Sequence, residues 1–203
     1  AGWDNLGAPT AVLLYQLQHQ GADVPKFSSI KSYIEKRFLN AWIKSNGFED
    51  IVKTPKGMSR PSWSAWGNLQ FSTSSGFLAL VCAKYSSSSK LSKLSRRWAQ
   101  TQIDYAIGDS GRSYVVGFGK KFPQYPHHAG ASCPPEPRSC GWSVFESSKP
   151  NGHILYGALV GGPSGPSDSY RDSRDDYVTN EVAVDYNAAF SGALAGLIEY
   201  LDN

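Results

Sequence analysis

Six acidic residues crowd one stretch of the chain: Asp168, Asp172, Asp175, Asp176, Glu181 and Asp185. Carboxyl groups at this density can do glycoside hydrolysis, which needs two of them in different protonation states. A neutral one protonates the departing oxygen, and an ionised one acts as base or nucleophile. Crowding raises the pKa of the carboxyl that can least bear its charge. Glu181, expected at the start of the last helix with acids around it, suits the acid's part. A helix N-terminus works against it, because that position stabilises negative charge. Spacing alone leaves two plainer readings open. One is calcium binding; the other is helix capping by Asp176 or Thr179 among solvated acids.

A second group is Pro126-His127-His128, which follows the Gly- and aromatic-rich run Ser113 to Gly119. Two adjacent histidines cannot both face one point on regular structure, so a paired metal site is disfavoured. One imidazole turned into a sugar cleft can both donate to and accept from hydroxyls; the alternative is a surface turn. Trp63 and Trp66 form the third group. Exposed indoles make flat platforms for pyranose rings, and a pair of core tryptophans is an equal reading.

These residues need a scaffold, and the periodicity supplies helices. The pattern predicts helices from Thr10, as cap, to about Gln20, from about Ser28 to Ser45, from about Leu69 to Tyr85, and from about Leu94 to Ile107. A shorter apolar piece covers Ile154 to Val160, and the last helix runs from near Glu181 to about Leu201. That is about six helices with almost no strand, so the fold class is all-α. The intervals Gly108 to Gly152 and Gly161 to Thr179 have no helical period. Ordered loops this long are usually functional, and their aromatic content argues against disorder. They resemble the rim of a cleft set on a helical scaffold.

With 203 residues and 40% hydrophobic content, the chain suits one domain with a sizeable core. A net charge of +3 is too weak and dispersed for a nucleic-acid partner. No apolar run of about 18 residues is present to span a membrane. No leader peptide is visible, and the chain begins without Met. Cys133 and Cys140 flank a Pro-rich loop and fit a short disulfide staple, which implies a secreted, extracellular protein. Metal ligands at matching spacing are not seen. Cys82, inside an apolar helical run, reads as a buried free thiol.

Several motifs follow one another along the chain. They are Gly2-Trp3-Asp4-Asn5, Thr54-Pro55-Lys56-Gly57-Met58 with Ala65 to Leu69, and Gln102 to Gly108. Next come Ser113 to His128 and Ile154 to Pro163. Last is the spacing of Tyr170, Asp172, Tyr177, Glu181 and Asn187-Ala188. In this order they resemble the carboxyl-terminal half of glycoside hydrolase family 9, the family of endo-β-1,4-glucanases from invertebrates, plants and bacteria. The resemblance implies half of an (α/α)6 barrel over residues 1–203, and an inverting attack on β-1,4-glucan with the two working carboxyls about 6.5–9.5 Å apart. It makes Glu181 the general acid and Asp172 an organising carboxylate. His127, Tyr177 and Trp66 become substrate-binding residues. It implies no cofactor, although structural calcium is common in the family. Two departures stand out. Ala129 occupies the position where the family usually has Arg. The Asp-Ala-Gly-Asp motif that carries the family's base is absent from these residues, so a partner amino-terminal half-domain is expected to supply it and the isolated chain to be inactive. Half a barrel would also leave apolar faces open. The alternatives are a non-catalytic glucan-binding or structural protein, and a helical module that pairs through its open face.

Overall fold

The computed structural model describes residues 5–201; Gly2, Trp3 and Asp4 of the first motif lie outside the described residues. The chain is mostly helical. α1 spans Gly7–His19, three residues earlier than expected, with Pro9 in its first turn and Thr10 inside it rather than at the cap. Proline suits a first turn because its missing N–H has no partner there. α2 (Phe27–Ser32), a π-helical stretch (Tyr33–Phe38) and α3 (Leu39–Lys44) follow without a break and fill the second expected helix. A hairpin of β1 (Ile51–Lys53) and β2 (Ser59–Pro61) pairs antiparallel, with Val52 opposite Arg60. Its turn uses Gly57 at φ 107°, a left-handed conformation open to glycine.

α4 (Asn68–Tyr85) is the centre of the molecule, packed between α5 (Ser89–Asp104) and α9 (Val184–Leu201) and touching α1. Small residues let these helices approach. A Cβ built on Gly76 would stand 3.8 Å from the Ala99 backbone of α5, and one on Gly192 would stand 2.9 Å from the Phe77 ring. Leu69, Ala79, Ala99, Ile103 and Ala193 are among the most deeply buried side chains between them. Gln102 of α5 joins this slab to the hairpin. Its Oε1 accepts from the Ser59 N–H and the Ser72 hydroxyl, each at 2.8 Å, and its amide donates to the Gly57 carbonyl at 3.1 Å.

α5 begins five residues before the expected start, because Ser88 caps it by accepting from the Leu91 N–H at 3.3 Å. A larger correction concerns Ile154 to Val160, which is not helical: it turns at Tyr156–Gly157, where Gly157 has φ 84°, and then pairs at Leu159 and Val160. Val115 pairs with Leu159 and Val160 with Val182, both antiparallel. Short apolar runs are ambiguous by period alone, and the β-branched Val160 fits a small lattice joining the two long loops. The loops also hold three one-turn helices, α6 (Ala129–Ser132), α7 (Trp142–Phe145) and α8 (Tyr177–Asn180). On the outer helices Leu6, Leu13, Ile198 and Leu201 are exposed. Among the described residues no helix is long and apolar enough to cross a membrane.

Candidate active site

Glu181 does not begin the last helix, as expected; α9 starts at Val184, and Glu181 follows α8 with an extended backbone, φ −59° and ψ 142°. The cause is pairing on both sides. His127 bridges in parallel to Glu181, its N–H donating to the Asn180 carbonyl at 2.8 Å, and the Gly161 N–H donates to the Glu181 carbonyl at 3.0 Å. Both long loops therefore meet at this residue. Its side chain lines a cleft of about 570 Å³ together with Trp63, Trp66, Gln70 and Tyr186.

One carboxyl oxygen of Glu181 is fully engaged. Oε2 accepts from the Trp66 indole N–H at 2.7 Å and from the Tyr186 hydroxyl at 3.2 Å. Indole nitrogen is only ever a donor. Burial, with Glu181 beside it, raises the Tyr186 pKa above that of an ordinary phenol, so this hydroxyl keeps its proton and donates. Oε2 is left with acceptance alone. A proton on this carboxyl belongs on Oε1, which no hydrogen bond occupies among the described residues.

Trp66, Tyr177 and His127 gather beside it. The Trp66 and Tyr177 rings lie 5.0 Å apart and the His127 and Tyr177 rings 6.1 Å apart. Trp66 and Tyr177 are 46% and 49% exposed, enough to offer ring faces to a ligand. His127 Nδ1 lies 2.7 Å from the Arg174 carbonyl. A carbonyl only accepts, so Nδ1 carries the hydrogen, and Nε2 of the neutral ring is an acceptor. His128 does different work, capping α6 by accepting from the Ala131 N–H at 3.1 Å. Ala129 opens that helix and offers no polar side chain.

The remaining acids separate by what they hold. Asp172 spends both oxygens on backbone, accepting from the N–H of Gln124 at 2.7 Å and of Tyr125 at 3.1 Å, and so fixes the approach to His127. Asp168 accepts from the Thr54 hydroxyl (2.6 Å), the Lys56 N–H (2.8 Å) and the Tyr105 hydroxyl (2.7 Å), tying the hairpin turn to the acid segment. Asp176 caps α8, as the plainer reading had it, accepting from the N–H and hydroxyl of Thr179. Asp175 pairs with Arg171 and Ser173 at the surface, and Asp185 accepts from the Gln70 amide at 2.5 Å. Among the described residues no three His, Cys, Asp or Glu side chains come together as a cation site. Cys133 and Cys140 are disulfide-bonded. Cys82 is a buried free thiol whose pKa burial pushes up to about 12.

Three residues to which the sequence assigns no role of their own have large ones. Arg174 is 4% exposed and donates to the carbonyls of Val144, Phe145, Ser147 and Lys149 and to the Asn151 side chain. Asn180 accepts from the Tyr170 hydroxyl and donates to the Arg171 carbonyl. Asn187 grips the apolar piece at its turn, accepting from the Leu159 N–H and donating to the Gly157 carbonyl. The available signal was a pair of long Gly- and Pro-rich loops, whose backbone groups must find partners somewhere.

The family model for glycosyl hydrolase family 9 matches residues 1–194. The chain belongs to glycosyl hydrolase family 9. It is 42% identical to the endoglucanase of the termite Nasutitermes takasagoensis, superposing with a TM-score of 0.84 over 98% of this chain and 42% of that one. Against endoglucanase CelQ from Clostridium thermocellum, complexed with cellobiose and cellotriose, the TM-score is 0.79 at 38% identity, over 98% and 31%. Among curated relatives, endoglucanase B of Cellulomonas fimi is 39% identical over 80% of this chain and 15% of its own length. Endoglucanase 10 of Arabidopsis thaliana is 35% identical over 97% and 40%. The chain thus spans less than half the length of each of these family 9 relatives. The solved endoglucanases are (α/α)6 barrels, and this family 9 chain accounts for part of one.

Proposed function

We propose that these residues form the carboxyl-terminal part of an endo-β-1,4-glucanase catalytic domain, in which Glu181 is the general acid of an inverting hydrolysis. One observation carries the reading. The Glu181 carboxyl is anchored through Oε2 by two obligate donors, while Oε1 is free in a cleft flanked by aromatic faces. A glucan chain stacks on Trp66 and Tyr177, and a sugar hydroxyl donates to His127 Nε2. Protonated Oε1 then delivers its hydrogen to the departing glycosidic oxygen. Asp172 organises the site and is not the base, since backbone amides take both its oxygens. The base that activates water lies in a preceding amino-terminal part that carries the Asp-Ala-Gly-Asp motif. The Cys133–Cys140 disulfide supports a secreted protein. The relatives' shared name, endoglucanase, supports the substrate class.

The test uses the natural full-length protein and this chain alone, on carboxymethyl-cellulose and mixed-linkage glucan. The full-length protein is expected to lower viscosity quickly and to release the α-anomer, seen by NMR during the first minutes. The chain alone is expected to release nothing. A β-anomeric product removes the inverting mechanism. Turnover by the chain alone, abolished by Glu181→Gln, places the base within these residues and overturns that part of the proposal. Glucan binding without cleavage by the full-length protein supports the non-catalytic alternative instead.

A further inference from the structure

Asp172 and Arg174 stand two residues apart and grip two parts of the same long loop with opposite chemistry. Asp172 takes backbone N–H groups at Gln124 and Tyr125, ahead of His127. Arg174 gives hydrogens to backbone carbonyls at Val144, Phe145, Ser147 and Lys149, over 2.6–3.0 Å, and its Nε donates to Asn151 at 2.9 Å. The two grips are joined, because the Asn151 N–H donates to the Gln124 carbonyl at 3.0 Å and the Asn151 side chain to the Pro126 carbonyl at 2.9 Å. Arg174's own carbonyl holds His127 Nδ1 at 2.7 Å. The guanidinium fixes where the Arg174 backbone sits, and that backbone fixes the imidazole.

From this geometry we infer that Arg174 is a positioning residue for carbohydrate recognition: its buried guanidinium sets the place of the carbonyl that keeps His127 in the Nδ1–H form, with Nε2 presented as an acceptor. The inference rests on the proposal that His127 meets the substrate. Its consequence is selectivity. An imidazole locked with Nε2 as acceptor requires a hydroxyl donor on the sugar ring, and a ring free to change tautomer does not. Arginine is needed for its shape. A planar fork reaches four carbonyls and an amide oxygen, three of the carbonyls sharing Nη1, whereas an ammonium has three donors at one point and no plane.

The experiment follows His127 directly, by ¹⁵N NMR of the imidazole nitrogens in full-length protein, beside kcat and KM on cello-oligosaccharides. In the wild type His127 should be a single Nδ1–H tautomer. Arg174→Lys should give a mixture and lower kcat/KM by about 100-fold, the cost of a misplacement of about 1 Å. Lysine should not rescue, and adding His127→Ala to Arg174→Lys should cost little more than either change alone. Asn151→Ala removes one acceptor and leaves the four carbonyls, so it should shift His127 the same way by less, and it decides the matter if Arg174→Lys fails to fold. The inference is overturned if His127 keeps one tautomer and its KM in both variants while only thermal stability falls. If the wild type shows the tautomer but neither binds nor cleaves glucan, the proposed function fails and the positioning role stands on the NMR arm.

Discussion

In the slab of α4, α5 and α9, side chains hold side chains; in the loop face, side chains hold backbone. Leu80, Ala99, Ile103 and Ala193 stabilise the slab by leaving water together, and its buried hydroxyls Ser75 and Ser95 even lack partners. The loop face also buries Tyr114, Val115, Leu159 and Val160, but adds a second kind of contact. Asp168, Asp172, Arg174, Asn180 and Asn187 read the main chain group by group. Apolar packing is non-directional and tolerates shape changes that keep volume. Hydrogen bonds to named amides and carbonyls fix positions to fractions of an ångström, as a working site needs. Changes in the slab should therefore cost stability, and changes in the loop face should cost function.

The largest separation is expected at Glu181. Glu181→Gln keeps an oxygen that can accept from Trp66 and Tyr186, so the fold should be unmoved. Loss of the acid should lower kcat by roughly 10²–10⁴-fold. Thermal melts and initial rates on the full-length protein measure both. A change in Tm without a change in rate would reverse the assignment of roles to the two regions.

The converse test is Leu80→Ala, at 3% exposure between α4 and α9. It should cost about 2–5 kcal/mol, since the helices cannot close fully over the lost volume. The urea midpoint should fall while kcat, taken well below the melt, stays within about twofold of wild type. A large fall in kcat would mean that the slab and the cleft are mechanically linked.

The same division explains what could be read from the sequence. α1, α4 and α9 declare themselves as long runs rich in apolar residues, because helices held by packing must carry many side chains that leave water. α5 was cut short because its first turns, Ser89 to Lys93, carry serines and lysines and owe their helix to the Ser88 cap. The site residues Glu181, Asp172, His127, Tyr177 and Trp66 stood out by chemical type and by the motifs that carry the family resemblance. Glu181 and Trp66 line the cleft, Tyr177 and His127 follow beside Trp66, and Asp172 holds the backbone at Gln124 and Tyr125. Arg174 is hidden because an arginine in an acid-rich loop resembles a solvated charge, which its neighbour Arg171 is. Its partners are carbonyls, which every residue has and no sequence displays. Ile154 to Val160 is ambiguous in sequence for a related reason, since its turn and its pairing are fixed by Asn187 and by partners far away in the chain.

An intermediate effect is expected at Asp172. Asp172→Asn preserves the shape but leaves one acceptor oxygen where there were two, so one of the charge-assisted bonds to the Gln124 and Tyr125 amides is lost and the other loses its charge. Such bonds contribute about 1.5–3 kcal/mol each. Hydrogen exchange at those two amides should quicken by at least tenfold, with the α4 amides unchanged. Unaltered exchange at Gln124 and Tyr125 would mean that the loop holds itself and that Asp172 acts elsewhere.

The smallest expected effect divides a single side chain between the two kinds of contact. Trp66 offers a ring face to the cleft and an N–H to Glu181 Oε2. Trp66→Phe keeps most of the ring and deletes the donor, and Trp66→Ala deletes both. If the N–H orients the acid and the ring binds sugar, Phe should lower kcat by roughly fivefold, about 1 kcal/mol of hydrogen bond, and leave KM near its wild-type value. Ala should raise KM as well, because the ring face that the sugar stacks on is lost. Equal losses in both variants would assign the whole contribution to the N–H. A Phe variant with wild-type kcat would assign it to the ring, leaving Tyr186 alone to hold Oε2.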